Sequence, residues 1–250
     1  MIEVEDHGKI RTLRISRPPV NALDAPLLAR LDALVAAAPA AGMRGLVLTG
    51  ANGRYSAGLD VQVLLSLDAA GLRDFLKTFY ACLTTLARST IPLVAAINGH
   101  GPAGGAVLAL YCDRRVMAAG GYRIGLNEVQ VGLFPGATIL RVLERVVGAR
   151  QAAELLPGGV LLEAAEALRV GFVDELAPHA EVEARARAWL ERVLALPPEA
   201  YGATRALVRR DLVELMQGSR AHELEGAVAA WRSTETQTTL RALLASLAKK

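Results

Sequence analysis

The size and charge of the chain narrow the classes of protein to which it can belong. It has 250 residues, of which 52% are hydrophobic and 21% charged, with 28 Lys and Arg against 25 Asp and Glu. A chain of this length can bury one sizeable core. The net charge of +3 is too small to indicate a nucleic-acid-binding surface, although it would suit a phosphate-bearing ligand.

Neither a membrane span nor a secretion signal is predicted. Every long apolar stretch is interrupted by Gly, Pro or a charged residue well before a bilayer-spanning length is reached. Residues 1–6 are acidic and lack the apolar centre of a signal peptide. Cys82 and Cys112 lie in apolar surroundings without CxxC spacing, so we expect buried free thiols rather than a disulfide or a metal site. The expected compartment is the cytoplasm.

Strands and helices alternate along the first half of the chain. Strands are predicted at residues 2–5, 10–15, 45–49, 93–97 and 114–117, the first two forming a hairpin around His7-Gly8. Helices are predicted at 24–37, 68–88 and 103–111, the first with leucines at helical spacing and Pro26 in its first turn. This order predicts an α/β fold in which parallel strands stack with helices outside them.

The second half of the chain has mainly helical periodicity from Gly136 onward, apart from a short predicted strand at 172–176. The pair Pro197-Pro198 marks a domain boundary. Residues 1–197 are therefore interpreted as the α/β core that carries the active site, and residues 198–250 as a helical C-terminal segment. We expect that segment to pack on the core or on a neighbouring subunit.

Two short segments place small residues where an extended stretch passes into a helix. They are residues 54–60, RYSAGLD, and residues 97–105, INGHGPAGG. At such junctions the backbone N–H groups have no intrahelical partner, and small side chains leave them open. Two such donors aimed at one point form an oxyanion hole, which can lower a barrier by several kcal/mol. The pattern therefore predicts stabilisation of a negatively charged oxygen.

Other interpretations of these loops fit less well. Gly99, Gly101 and Gly104 match the dinucleotide-binding pattern GxGxxG. However, Pro102 removes a donor inside that loop, and no acidic residue follows at the position that would contact a ribose. Ser56 lacks the glycine two residues upstream that a nucleophile elbow requires.

Glu128 is the candidate base. It lies in an apolar neighbourhood, where loss of hydration would raise the pKa of its carboxyl. Taken alone, an acid next to a turn is more often a helix cap or an ion-pair partner. Its position after two oxyanion-type loops favours catalysis, because a carbonyl held by two N–H groups has acidified α-protons that a nearby carboxylate can abstract.

Four segments of the chain resemble the crotonase superfamily of enoyl-CoA hydratases and isomerases. Residues 18–23 (PPVNAL) are similar to the family's PxxNAL segment, and residues 55–60 (YSAGLD) to its FSAGxD loop. Residues 96–105 resemble the second loop, and residues 124–136 the segment that carries the acid. The resemblance covers most of the chain. It implies a crotonase-type spiral of ββα units with a helical C-terminal appendage, assembled as a homotrimer or a hexamer of two trimers.

The resemblance also implies roles for individual residues. The backbone N–H groups of Leu59 and Gly104 would hold the thioester oxygen, Glu128 would act as the base, and Asn127 would lie beside the acyl chain. The coenzyme A and acyl groove would be lined by Ala57, Gly58, Asp60 and Val61. The implied substrate is an acyl-CoA thioester, with coenzyme A as part of the substrate. No metal, separate cofactor, nucleic acid or membrane partner is implied.

The choice of reaction depends on a second acid that is missing here. In the family, hydration uses two carboxylates, and one of them stands three residues after the second oxyanion glycine, where this chain has Val107. A single carboxylate suits a proton shuttle that takes a proton from C2 of a 3-enoyl thioester and returns it at C4. The segments PAGG and GLNE also resemble the monofunctional Δ3-Δ2-enoyl-CoA isomerases. We therefore expect an isomerase of fatty-acid metabolism.

Three alternatives remain open. They are an enoyl-CoA hydratase, another crotonase-type reaction through an acyl-CoA enolate, and a non-catalytic acyl-CoA-binding protein. Gly136 is followed by Ala137-Thr138, whereas hydratases commonly have a Gly-Gly-Thr-like stretch after this Pro-Gly turn, which argues against an ordinary hydratase. A binding protein would require Glu128 to be structural.

Overall fold

The computed structural model describes residues 1–218 and 221–247. The strands are β1 (Ile2–His7), β2 (Ile10–Ile15), β3 (Gly45–Gly50), β4 (Leu93–Ile97), β5 (Gly101–Pro102), β6 (Arg114–Ala118), β7 (Arg123–Gly125), β8 (Leu162–Glu163) and β9 (Glu175–Ala177). The core helices are α1 (Ala25–Ala37), α2 (Val61–Leu65), α3 (Ala69–Arg88), α4 (Gly104–Leu110), α5 (Ala137–Val147), α6 (Ala149–Gly158), α7 (Ala164–Arg169) and α8 (Val182–Leu194). The C-terminal helices are α9 (Pro198–Val208), α10 (Arg210–Gln217), α11 (Ala221–Arg232) and α12 (Thr234–Leu247). Short 3₁₀ turns cover Glu128–Val131 and His179–Glu181.

The main sheet has six strands in the order β1-β2-β3-β4-β6-β9. The hairpin pair β1 and β2 is antiparallel, and every later neighbour is parallel, with Leu13 opposite Leu48 and Leu48 opposite Ala95. Strands β3 and β4 are apolar almost throughout because both of their faces are covered. The predicted α/β order of parallel strands is confirmed.

The two faces of the main sheet pack against different helices. One face meets α1, α3 and α4 in the larger core. The other face meets α8, where Val47, Val94 and Val116 contact Ala186 and Leu190. Since the loops that follow parallel strands emerge at one edge of such a sheet, the segments after β3 and β4 are brought together there.

Two parts of the fold differ from the sequence-based expectation. The predicted strand at 172–176 is wrong in position, because β9 begins only at Glu175. The amides of Phe172 and Val173 instead donate to the carbonyl of Ala167 at the end of α7, which bends the chain. A second, three-stranded sheet, β5-β7-β8, was not foreseen. Its strands are two or three residues long, too short to produce an alternating pattern.

The C-terminal helices pack on the body of the same chain. Helices α10 and α11 contact α3, and α12 contacts α2 and the 3₁₀ turn at Glu128–Val131. Within residues 1–218 and 221–247, none of the helices has the length and apolar character needed to cross a bilayer.

Candidate active site

The first of the two glycine-containing loops is fastened by Asn21. This buried side chain donates to the carbonyl of Arg54 at 2.7 Å, and the backbone carbonyl of Asn21 accepts a hydrogen bond from Ser56 Oγ at 2.8 Å. The backbone amide of Leu23 donates to Gly58 at 2.8 Å. The PPVNAL segment thus fixes the loop that follows β3, although the two lie more than thirty residues apart in the sequence.

The second loop approaches the first so closely that side chains are excluded. A Cβ atom at Gly99 would overlap the backbone of Gly53 and Arg54. Ala103, just before α4, has φ of 48°, a left-handed value that costs energy for a residue with a side chain. Its amide donates to the carbonyl of Gly125 at 2.8 Å, which contributes to holding this conformation.

The two loops bring the amides of Leu59 and Gly104 side by side. A Cβ atom placed on Gly104 would lie 3.2 Å from the Leu59 nitrogen, and one placed on Gly58 would lie 3.0 Å from the Gly104 nitrogen. Gly104 is the first residue of α4, so its N–H has no intrahelical acceptor. Among the hydrogen bonds of the described residues, none is donated by either amide. Both groups are therefore available to a substrate oxygen.

A cavity of about 270 Å³ borders these amides, and most of its wall is apolar. The loops and α2 contribute Ala57, Leu59, Val61, Pro102, Ala103, Gly104 and Val107. Helix α3 contributes Leu76, Phe79 and Tyr80. The segment from the 3₁₀ turn to α5 contributes Asn127, Glu128, Val131, Leu133, Phe134, Pro135 and Ile139. The C-terminal helices contribute Ala227, Trp231 and Leu243. An acyl chain in such a cavity would gain about 0.8 kcal/mol for each buried CH₂ group.

Glu128 lies on the cavity wall at the start of the 3₁₀ turn and is the one carboxylate among the described lining residues. Its Oε2 atom is buried and has no hydrogen-bond partner within the part of the chain that the structure describes. Burial raises the pKa of this carboxyl to about 7, against a weaker opposing effect from the residue's own backbone N–H. A carboxyl with this pKa can both accept and return a proton near neutral pH.

Asn127 presents a second unpaired oxygen beside Glu128. Its Oδ1 is buried without a partner among the described residues, and the side chain lines the same cavity. A buried polar atom without a partner costs roughly 1–3 kcal/mol, so its persistence here favours a partner supplied by a ligand.

Val107 occupies the position where a second acid was considered. It lies one turn into α4 after Gly104, is 3% exposed and lines the cavity. The position therefore faces the reaction space, but it offers only methyl groups. No second carboxylate of the described chain lines the cavity to replace it.

The expected groove residues divide into two sets. Ala57 and Val61 line the cavity, whereas Gly58 and Asp60 lie beside it. The Asp60 carboxylate caps the start of α2 and pairs with Arg17 at 2.6 Å, which gives it a structural role. Contact of Gly58 and Asp60 with a coenzyme A moiety stays a prediction.

The far wall of the cavity was not anticipated. Ala227 and Trp231 on α11 and Leu243 on α12 close it, and Leu76 and Phe79 on α3 complete it. Their helical spacing is visible in the sequence, yet the same spacing is typical of ordinary core residues. The sequence therefore carried no signal that separated these lining side chains from the core.

Comparisons with known proteins identify the family of the chain. The family model described as enoyl-CoA hydratase/isomerase matches residues 5–243. The chain belongs to this family. The enoyl-CoA delta isomerase 1 of mouse mitochondria is 31% identical over 253 residues, covering 100% of this chain and 88% of that protein.

Two solved structures of the enoyl-CoA hydratase/isomerase family confirm the crotonase-type fold. The human mitochondrial delta3-delta2-enoyl-CoA isomerase has a TM-score of 0.94 at 31% identity, over 99% of this chain and 98% of that one. An enoyl-CoA hydratase from Bacillus halodurans has a TM-score of 0.87 at 26% identity, over 96% and 99% of the two chains. Both isomerases and hydratases of the family are thus similar along almost the whole chain, C-terminal helices included.

Proposed function

We propose that this chain isomerises 3-enoyl-CoA thioesters to 2-trans-enoyl-CoA thioesters, with Glu128 as the sole acid–base group. The observation that carries the proposal is the composition of the cavity wall. One carboxylate and a pair of unpaired amides line the same cavity, and Val107 stands where a hydratase of the family would place its second acid. The similarity to isomerases from mouse and human supports the same reaction.

The proposed reaction moves one proton and adds nothing to the substrate. The Glu128 carboxylate takes a proton from C2, and the electrons of that C–H bond delocalise through the dienolate onto the thioester oxygen. The amides of Leu59 and Gly104 donate to this oxygen, where the negative charge develops. Glu128 then returns the proton at C4, and the double bond comes to lie between C2 and C3. The carboxylate is regenerated, so no cofactor is needed in this scheme.

The surroundings of the substrate follow from the same proposal. Ala57 and Val61 would contact the acyl-CoA next to the thioester, Gly58 and Asp60 would contact its coenzyme A part, and Asn127 would lie beside the acyl chain. Coenzyme A enters only as part of the substrate. We also propose a cytoplasmic enzyme that assembles as a homotrimer or as a hexamer.

The first test is a pair of assays on the purified protein, 3-enoyl-CoA isomerisation and 2-enoyl-CoA hydration, over medium acyl lengths. Isomerisation with negligible hydration supports the single-base scheme. Fast hydration would favour the alternative of an enoyl-CoA hydratase, for which the similarity to the Bacillus halodurans hydratase is the supporting observation. Absence of both activities would contradict the proposal and favour another enolate reaction or a binding protein.

The substitution Val107→Glu asks whether the missing acid is what limits hydration. Because this position faces the cavity, a carboxylate there would help to orient a water molecule. We expect hydration to rise by about 10-fold or more in Val107→Glu but not in the neutral control Val107→Gln. Thermal unfolding of both variants checks that each is folded. A folded Val107→Glu variant without increased hydration would show that another feature limits this reaction.

A further inference from the structure

The C-terminal helices hold the segment that carries Glu128, and the first point of contact is Thr236 on α12. This residue is fully buried, and its Oγ1 donates to the carbonyl of Gly132 at 2.6 Å. Ser233 Oγ lies 3.0 Å from Thr236 Oγ1 and accepts from the Thr236 amide at 3.1 Å. Since a carbonyl can only accept, the Thr236 hydroxyl proton must point at Gly132, and Ser233 must donate to Thr236.

Gly132 is in turn tied to Glu128 through the backbone. It ends the 3₁₀ turn with φ of 73°, and its amide donates to the carbonyl of Val129 at 3.1 Å. The next amide, that of Leu133, donates to the carbonyl of Glu128 itself at 3.0 Å. A displacement at Gly132 would therefore move the backbone of the proposed base.

The second point of contact is Glu223 on α11. Its carboxylate accepts from the amide of Thr138 at 3.0 Å and from the Thr138 hydroxyl at 2.7 Å. Helix α5 has no cap from its own sequence at Gly136, so Glu223 supplies the anion that a helix start favours. A Cβ atom at Gly136 would overlap the Glu223 carboxylate, which shows how closely the two segments meet.

The turn that bears Glu128 is also held by the core. Gln130 Nε2 donates to the carbonyl of Gly159 at 2.9 Å, at the end of α6. The turn that bears Glu128 is therefore bound both to the core and to α12, and α11 binds the start of α5 that follows it. The same two helices also present Trp231 and Leu243 to the cavity.

We propose that Thr236 and Glu223 are positioning residues, which fix Glu128 relative to the amides of Leu59 and Gly104. Neither residue is among those that line the cavity, so their effect is expected to pass through the segment 128–138. This inference rests on the proposed function, because it assigns Glu128 as the base. A loosened segment would place the carboxylate less accurately, and small displacements of a catalytic group are costly in rate.

Thr236→Val tests the first contact, because it keeps the shape of the side chain and removes its hydroxyl. We expect kcat for isomerisation to fall about 10-fold while KM changes by less than about 2-fold, since the cavity wall is intact. Thr236→Ser should restore most of the rate. Thr239→Val is the matched control, because its hydroxyl donates to the carbonyl of Glu235 within the same helix and not to the segment 128–138. It should leave kcat unchanged.

Glu223→Ala tests the second contact in the same way, and its control is Glu225→Ala on the same helix. Glu225 pairs with Arg73 at the protein surface and does not reach the segment 128–138. We expect kcat to fall about 10-fold in Glu223→Ala and to remain at the parent level in Glu225→Ala. Equal rates in the two variants would contradict the assignment of Glu223.

A titration of the Glu128 carboxyl by ¹³C NMR gives a readout that needs no turnover. Among the described residues that line the cavity, Tyr80 is the other titratable one. The Glu223 carboxylate does not line the cavity and lies next to Gly136. The pKa of Glu128 is raised by burial and not by a neighbouring charge. Water admitted by a looser segment should therefore move its titration midpoint toward lower pH in Thr236→Val, and not in Thr239→Val.

The two readouts separate this proposal from the one on which it rests. If the parent protein does not isomerise but the Glu128 midpoint moves in Thr236→Val, the proposed function fails and the positioning role stands. If the parent isomerises and Thr236→Val keeps its kcat and its midpoint, the positioning role is overturned. A folded Thr236→Val variant with a lowered kcat, an unchanged KM and a Glu128 titration midpoint at lower pH supports both the proposed function and the positioning role.

Discussion

Asp113 and Glu128 are carboxylates withdrawn from water in opposite ways. Asp113 accepts hydrogen bonds from Arg205 and Arg209 and from the amide of Leu93, at 2.8–3.1 Å. Burial alone would raise its pKa, but the charges of Arg209 and Arg205 outweigh that effect and hold the pKa below the ordinary value of 3.8. No cation of the described residues pairs with Glu128, and burial raises the pKa of its carboxyl to about 7.

Because of this difference in pKa, the two carboxylates have different roles. Asp113 stays ionised and joins the start of β6 to α9 and to Arg209 at the junction of α9 and α10, so its charge stabilises the docking of the C-terminal helices. Glu128 changes protonation near neutral pH in a cavity open to substrate. For a buried carboxyl, the presence or absence of a cationic partner therefore decides whether the pKa is lowered or raised.

The largest expected effect is the loss of turnover in Glu128→Gln. The amide keeps the size of the side chain but cannot accept the C2 proton, so isomerisation should fall roughly 10²–10⁴-fold. Binding of an acyl-CoA product, measured by calorimetry, should remain within a few fold of the parent. Retained turnover would rule out Glu128 as the base. The control Glu163→Gln changes an acid whose side chain pairs with Arg123 at the surface, and it should retain full activity.

The substitution Asp113→Asn removes the charge that Arg205 and Arg209 share. Two guanidinium groups, whose side chains are 8% and 5% exposed, would then lack a counter-charge. We expect the free energy of unfolding to fall by roughly 3–5 kcal/mol, measured by urea denaturation. Asp211→Asn is the control, because Asp211 pairs with Arg145 while 64% exposed and should lose less than about 1 kcal/mol. Equal losses in the two variants would show that the buried ion pairs of Asp113 contribute no more to stability than the exposed ion pair of Asp211.

The raised pKa of Glu128 predicts opposite pH trends for activity and stability. For activity, kcat/KM of isomerisation should rise with pH to a plateau, with a midpoint near 7 as the base loses its proton. For stability, the folded state binds the proton more tightly than the unfolded state, so this group favours folding at low pH. That contribution is lost as the pH rises through about 7.

Glu128→Gln should therefore be more stable than the parent at pH 8 and similar to it near pH 4. The shift from 4.5 to about 7 corresponds to a difference of up to about 3 kcal/mol. Urea denaturation of both proteins across this pH range measures it. A difference that does not change with pH would contradict a raised pKa at this position.

The same two carboxylates show what could be predicted from the sequence. Glu128 lies among apolar neighbours along the chain, so its role as a base candidate was visible in one segment. Asp113 meets its arginines across 92 and 96 residues, a pairing that no local pattern encodes. The oxyanion-type loops, like Glu128, could be predicted from the sequence, because glycines and small residues mark them directly. The cavity wall formed by Trp231 and Leu243, like the pairing of Asp113, could not be predicted from the sequence, because it depends on how α11 and α12 dock.

Tyr55 is an uncharged buried polar residue, and its substitution is expected to have the smallest effect on stability. It is fully buried, and its hydroxyl has no hydrogen-bond partner in the described part of the chain. It stands where the crotonase pattern often has Phe. Because an unpaired buried hydroxyl is costly, Tyr55→Phe should raise the free energy of unfolding by about 1 kcal/mol.

Tyr111→Phe is the matched control for that substitution. Tyr111 is equally buried, but its hydroxyl donates to Met216 Sδ at 3.3 Å. Removing a hydrogen bond that is made should lower the free energy of unfolding by about 0.5–1 kcal/mol, so the two variants should shift in opposite directions. Urea denaturation of the pair measures both signs. A loss of stability in Tyr55→Phe would mean that its hydroxyl has a hydrogen-bond partner in solution, such as a bound water.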